Sequence, residues 1–238
     1  LKDEEGLPIF DDEMNATLKK NFADGKCTEL NIFLCYDDPR MNMPTSYAQF
    51  TKSKLICMGN GEIAFRWEDG ERVRVGCAGR QCKDYKAKKC KPYGKLSVIL
   101  ADANRIGGTY MFRTASWNTI QNVLSSMALI RDRAGVLAGI PLKMRLVPMT
   151  VMPEEVGHNV RIWVLNIEFA GTMTDLKTAG EREVERRLKV GLDMRQIEEN
   201  NRRILEDRIV EETEEEASEI AEEFAPDAPE AEVSERVK

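Results

Sequence analysis

Cys77-Ala78-Gly79-Arg80-Gln81-Cys82, followed by Cys90, sets three thiols in a C-x4-C-x7-C pattern within a stretch rich in Lys, Gly and Pro. Thiolates at such short spacing suit a soft divalent metal, and Zn2+ takes four of them in a tetrahedron at about 2.3 Å. A loop of this composition has little apolar material for a core of its own, so a metal would be its staple. Neighbouring Lys and Arg side chains favour the thiolate form. Cys57 is the best fourth ligand: it ends the apolar run Leu55-Ile56-Cys57, and a hairpin would return the chain to the same point by Cys77. Cys35 is the next choice, then Asp84 or a water. The alternatives are incidental free thiols or disulfides. No C-x-x-C redox motif is present, and Cys27 and Cys35 read as ordinary thiols on or near a strand.

His158, in Val156-Gly157-His158-Asn159, is the sole histidine and reads as a turn residue. No G-x-S-x-G, H-E-x-x-H or phosphate-loop signature occurs, since Gly135-Val-Leu-Ala-Gly139 lacks the G-K-[ST] ending. The sequence therefore supplies no catalytic residue set, and the expectation is a protein that is not an enzyme and has no small-molecule substrate. A metal-dependent hydrolase would need an open metal position, which a four-cysteine site does not leave.

Nine cations lie between Arg72 and Lys95, with Asp84 as their opposing charge among residues 72–95. Arg80, Lys83, Lys86, Lys88, Lys89 and Lys91 are the candidate nucleic-acid contacts, interleaved with Tyr85 and Tyr93. Such a cluster can neutralise phosphates, and tyrosines can stack on exposed bases. A solvated loop that only aids solubility accounts for the same pattern. Phosphate contacts of this kind carry no sequence preference.

The elements that must position these residues read as follows. Asp11 to Phe22 has weak helical character, and Leu30 to Tyr36 is a strand. Residues 37–47, with Pro39 and Pro44, read as a loop. Ser53 to Met58 and Glu62 to Trp67 flank Gly59-Asn60-Gly61, a hairpin signal. Glu71 to Val75, Leu96 to Leu100, Thr109 to Thr114, Leu142 to Thr150 and Asn159 to Phe169 are further strands, with Pro148 at a bulge or edge. Ser116 is an N-cap for a helix carrying Ile120, Val123, Leu124, Met127 and Ile130. Thr178 to Arg208 reads as one long, charge-laced helix with a thin apolar seam that includes Val184, Leu188, Val190, Met194 and Ile197. That seam suits either a partner helix or docking on the chain's own sheet.

The predicted fold class is α+β: a mostly antiparallel sheet with one packed helix, a cysteine-rich zinc loop and a long C-terminal helix. Residues 1–172 form the body, with the zinc loop at about 77–94. Residues 173–210 form a helical arm, and 211–238 an acidic disordered tail. Glu211 to Lys238 holds twelve acidic and two basic residues, so the net charge of −6 hides a mildly basic remainder. This asymmetry points to a macromolecular partner. No run of about 18 apolar residues and no secretory signal is visible, so the expected place is the cytoplasm, away from membranes.

Several of these residues also form an ordered series. It runs Leu55-Ile56-Cys57-Met58-Gly59-Asn60-Gly61 with Ile63-Ala64, then Cys77, Cys82, Cys90 and Gly94-Lys95-Leu96. It continues with Gly108-Thr109-Tyr110, Arg113-Thr114-Ala115-Ser116, Gly135 and Ala138-Gly139-Ile140-Pro141-Leu142. The series resembles phage recombination directionality factors, the partners of large serine integrases, over about Leu55 to Phe169. The resemblance implies a non-enzymatic protein of a bacteriophage-infected host. It would bind the integrase on DNA, redirect its coiled-coil arm and favour attL and attR, so that excision replaces integration. Leu188, Val190, Met194 and Ile197 are the candidate partner-binding residues, and DNA would be reached through the integrase or directly. The competing expectation is a zinc-containing phage nucleic-acid-binding or annealing accessory protein.

Overall fold

The computed structural model describes residues 12–19, 27–51, 54–68, 71–103, 108–152 and 157–207. Every strand pairing whose register is described is antiparallel, and several helices accompany the strands, so the architecture is α+β. Cα packing divides the chain into two units. One comprises Leu1–Asn42, Ser97–Met111 and Gln121–Leu192; the other comprises Met43–Leu96, Phe112–Ile120 and Asp193–Lys238.

The first unit holds helix α1 (Asp12–Lys19), strand β1 (Glu29–Phe33) and the one-turn helix α2 (Pro39–Asn42). It also holds most of helix α4 (Trp117–Ala134), strands β8 (Leu142–Val151) and β9 (Val160–Glu168), and helix α5 (Met173–Val190). The end of strand β6 (Cys90–Leu100) pairs with β1, β1 with β8, and β8 with β9. Alternation puts Val98, Leu100, Ile32, Leu142, Leu165 and Ile167 in the core. Val123, Met127 and Ile130 of α4 are buried at spacings of four and three, one face of a helix. The β1 pairing reaches only to Arg145 of β8, with the Leu146 N–H bonding to Thr28 O. Pro148, two residues on, therefore lies past the end of β1, where its missing N–H leaves no ladder bond unmade.

Residues 35–42, of which 37–42 were expected to be loop and 35–36 the end of a strand, are organised by a fully buried side chain. Asn42 Oδ1 accepts the N–H groups of Cys35 and Tyr36, and Asn42 Nδ2 donates to the Tyr36 and Asp38 carbonyls. Asp37 then turns inward. Its Oδ1 accepts the Leu137 and Ala138 N–H groups at 2.8 and 2.9 Å, and Arg187 grips it in a bidentate pair at 2.6 and 3.0 Å. Arg187 also donates to Glu183 Oε1 at 2.9 Å and to the Ala138 carbonyl at 2.6 Å.

That network fixes how α5 docks. The helix starts in a capping box, Thr172 with Asp175, and its buried face is Leu176, Gly180, Glu183 and Arg187. The single long helix expected over Thr178 to Arg208 is corrected here. Gly191 takes the left-handed conformation at φ +66°, the Leu192 N–H returns to Arg187 O, and α5 ends. A separate helix, α6 (Met194–Asp207), follows. The expected acidic disordered tail, residues 211–238, lies outside the described residues. No described helix is long and apolar enough to cross a membrane.

The second unit is a sheet of β2 (Thr45–Phe50), β3 (Leu55–Gly59), β4 (Ile63–Glu68), β5 (Glu71–Gly76) and the start of β6, in the order β5-β4-β3-β2-β6. Strand β7 (Tyr110–Thr114) pairs with β6. The predicted hairpin is present: Asn60 Oδ1 accepts the N–H groups of Glu62 and Ile63, and Gly61 has φ +102°. Strand β2 fills a place read as loop up to Tyr47. Strand β6 begins at Cys90, inside the expected cysteine loop. The helix N-cap is as predicted, with the Thr119 N–H on Ser116 Oγ at 3.3 Å.

Candidate functional site

The cysteines meet on one face of the second unit's sheet. In register, Cys57 of β3 faces Gln49 of β2, and Gln49 faces Cys90 of β6. Residues paired across antiparallel strands share a face, so the two thiols flank Gln49 at about 4.8 Å per strand spacing. Arg66 of β4 pairs with Cys57 from the other side. Cys77 is hung over the hairpin by its N–H on the Glu62 carbonyl, and its sulfur lies 2.8 Å from where a Cβ on Gly59 would stand. Cys82 follows a 3-10 turn, Gly79–Gln81, and precedes the short helix α3 (Lys83–Lys86).

The four expected ligands, Cys57, Cys77, Cys82 and Cys90, are thus gathered within electrostatic reach of one another. Among the described residues, however, no group of three or more His, Cys, Asp or Glu side chains is placed so that it could hold a metal ion. Burial, then the neighbouring thiols and Asp84, pushes Cys90 up to about 12. Burial likewise raises Cys57, with the neighbouring Arg66 opposing it. Unliganded, these two are protonated at neutral pH and weak nucleophiles. Cys35, the reserve ligand, belongs to the first unit and is raised by burial alone.

Two neighbours of the cluster were not legible as site residues. Arg66 donates to Asp84 Oδ2 at 2.6 Å, and its Nε, beside Cys57 in register, is buried with no hydrogen-bond partner. Gln49 Oε1 is buried and has no hydrogen-bond partner. Only strand register reveals them, and β2 itself was missed.

The loop also has an aromatic anchor, supplied from outside it by β2 and α4. Tyr47 stacks on Trp117 with centroids 6.4 Å apart, and Tyr85 meets Tyr47 edge-on at 5.6 Å. The turn at Gly79 sits against the Tyr47 ring. Arg80 lies over Trp117 at 4.5 Å. Lys83, Lys86, Lys88, Lys89 and Lys91 are exposed, as is Arg80. Lys88 takes a left-handed turn conformation at φ +60°. The structure therefore gathers the cations on or beside one loop.

The candidate partner residues divide between two helices. Leu188 and Val190 are 77% and 65% exposed on α5, because the docked face of that helix is the Leu176–Arg187 stripe. Val184 and Met173 join them as exposed apolar side chains that the reading of partner residues left out. Met194 and Ile197 lie on α6 and are half-buried.

The Gp3-like family, described as recombination directionality factor-like, matches residues 5–170. The chain belongs to this family. The matched segment holds all six cysteines, the cationic loop and the strands of both units, and ends just before α5. No curated protein and no solved structure matches the chain. Membership in the Gp3-like family places it among proteins connected with phage recombination and with a recombinase system.

Proposed function

We propose that this chain is a recombination directionality factor that binds a large serine integrase and turns it from integration to excision, attL with attR, without catalysing a step itself. Family membership over residues 5–170 is the observation that carries the reading. The exposed apolar residues of α5 support it, since a docked helix that keeps Leu188 and Val190 in water has a face to offer a partner. The work required is a shift between two synaptic arrangements. Moving an equilibrium from 1:99 to 99:1 takes about 5.5 kcal/mol of differential binding, and the factor must supply its share by binding one arrangement better. Such a protein acts in the cytoplasm of the bacterial host and reaches DNA through the integrase.

The test is recombination in vitro with the cognate integrase on paired att substrates. The chain is expected to activate attL with attR and to depress attP with attB; no change in either reaction ends the reading. Leu188→Asp should cut excision activation about tenfold or more, as loss of an interface anchor does. Its melting temperature should stay near that of the parent, because the side chain is solvated.

The exposed cations of the loop favour a second reading, direct nucleic-acid contact by an accessory protein. On that reading, reversing Lys83, Lys86 and Lys89 to Glu lowers salt-sensitive binding to naked DNA, and the integrase is not needed for binding at all.

A further inference from the structure

The cysteine face of the second unit has no part in the reading just given, and its geometry poses its own question. Cys57 and Cys90 flank Gln49 on one face of the sheet, and Cys77 and Cys82 are brought over that face by the hairpin and the 3-10 turn. Gln49 Oε1 is buried there with no hydrogen-bond partner, an acceptor that normally costs about 1–3 kcal/mol to leave unmade. Arg66, with one N–H on Asp84, is the cross-strand neighbour of Cys57, and its Nε is buried with no hydrogen-bond partner. Incidental thiols have no reason to collect from two strands and a loop over one stretch of sheet, nor to have a guanidinium beside them there.

We propose that Cys57, Cys77, Cys82 and Cys90 form a structural site for one soft divalent cation of the zinc class. Four thiolates around Zn2+ leave a net charge of about −2 by formal counting. A site of that charge needs donors and cations around it, and outer-shell hydrogen bonds to the ligands are how proteins supply them. Arg66, paired with Cys57 across the strands and with its Nε unsatisfied, is placed to supply one. Lys83, Lys86, Lys88 and Lys89, on or just after α3, are exposed beside the same loop and offset the rest. The loop's positive charge thereby acquires a role that requires no nucleic acid. The four sulfurs are not placed to hold an ion as they stand, so binding must draw them to about 2.3 Å from it. The closure ties β3, β6 and the loop into one cross-linked patch, in addition to the aromatic contacts of Tyr47.

The experiment uses the full chain, produced with zinc in the medium and stripped of loosely held metal. Metal content is measured per chain, and thiols are titrated with a disulfide reagent before and after a strong chelator. The expected result is one zinc per chain, with only Cys27 and Cys35 reacting until chelation exposes the other four. Cys82→Ser and Cys90→Ser should each lose the metal, while Cys35→Ser keeps it. If a serine variant does not fold, the parent protein still decides, through its thiol protection and through the sulfur-to-metal charge-transfer band of the cobalt-substituted form. Six thiols reacting alike with or without zinc, or full metal content in Cys82→Ser, would overturn the site. None of these readouts involves an integrase, so failure here leaves the recombination reading standing, and the converse holds.

Discussion

Arg187→Ala is expected to destabilise the first unit by about 3–5 kcal/mol, the range seen when one partner of a buried ion pair is removed. Arg187 and Glu183 are each only 8% exposed at the side chain, and Asp37 21%. Deleting the guanidinium leaves Asp37 without its cation and Glu183 with Arg186 alone, and strips the Ala138 carbonyl of its donor. Typical domains have about 5–15 kcal/mol in hand, so the loss is a large fraction. Urea denaturation followed by helix signal reads it directly. A midpoint shift worth less than about 1 kcal/mol would show that the network is solvated rather than buried. An apolar replacement of all three charges would not restore the parent stability, because the Leu137 and Ala138 N–H groups need the Asp37 oxygen.

The same network gives a pH signature. Burial pushes the Asp37 carboxyl up, but Arg187 and the two backbone N–H groups outweigh it and hold it below its ordinary range. Glu183 is also held low, first by Arg186, with burial opposing and Arg187 assisting. A carboxylate with a lowered folded-state pKa contributes stability above its unfolded value, about 4 for these groups, and loses it as pH falls through the folded value. Acid below about pH 4 should therefore weaken the parent protein, and the slope there should flatten in Arg187→Ala. An identical acid slope in both proteins would mean that other carboxylates dominate.

What was legible in the sequence divides along a physical line. Asn60-Gly61 demands a tight turn, Ser116 demands a helix start, and Leu96 to Leu100, Leu142 to Thr150 and Asn159 to Phe169 are apolar-rich runs of strand length; all of these are local signals and all reappear in the structure. Strand β2 is Thr-Ser-Tyr-Ala-Gln-Phe directly after Pro44, with too little apolar alternation to announce itself, and its pairing partners decide its conformation. The break at Gly191 sits in a run of charged helix formers that reads as continuous. The docked face of α5 was the hardest to see. An apolar seam through Val184 and Leu188 is what periodicity finds, whereas the helix buries a glycine, a glutamate and an arginine. Partners supplied by Asp37 and Ala138 make that burial possible, and they lie about 150 and 49 positions away in sequence. At the cysteine site, Cys57 was within reach of spacing arguments, but Arg66 and Gln49 depend on register across β2, β3 and β4.

Gly180→Ala tests that docking from the other side, and its sign separates two accounts of α5. In an unpacked helix the change should stabilise by about 1 kcal/mol, because glycine is a poor helix former. Here a Cβ on Gly180 would stand 2.0 Å from the Ala134 carbonyl oxygen and 2.8 Å from its carbon. Both are backbone atoms at the end of α4, so no rotamer change relieves the clash and the helix itself must move. The expected cost is about 3 kcal/mol, the upper end for overpacking. Gly191→Ala is the control: nothing lies within 4 Å of its added methyl, and only the left-handed backbone at φ +66° opposes it, at about 1–2 kcal/mol. Gly180 and Arg187 share one helix face, so a shift forced by the methyl also pulls Arg187 off Asp37. The double variant Gly180→Ala with Arg187→Ala should then lose clearly less than the sum of the two single losses. Additive losses would mean that the close approach at Ala134 and the ion network hold α5 independently, and a stabilised Gly180→Ala would mean that α5 does not dock there.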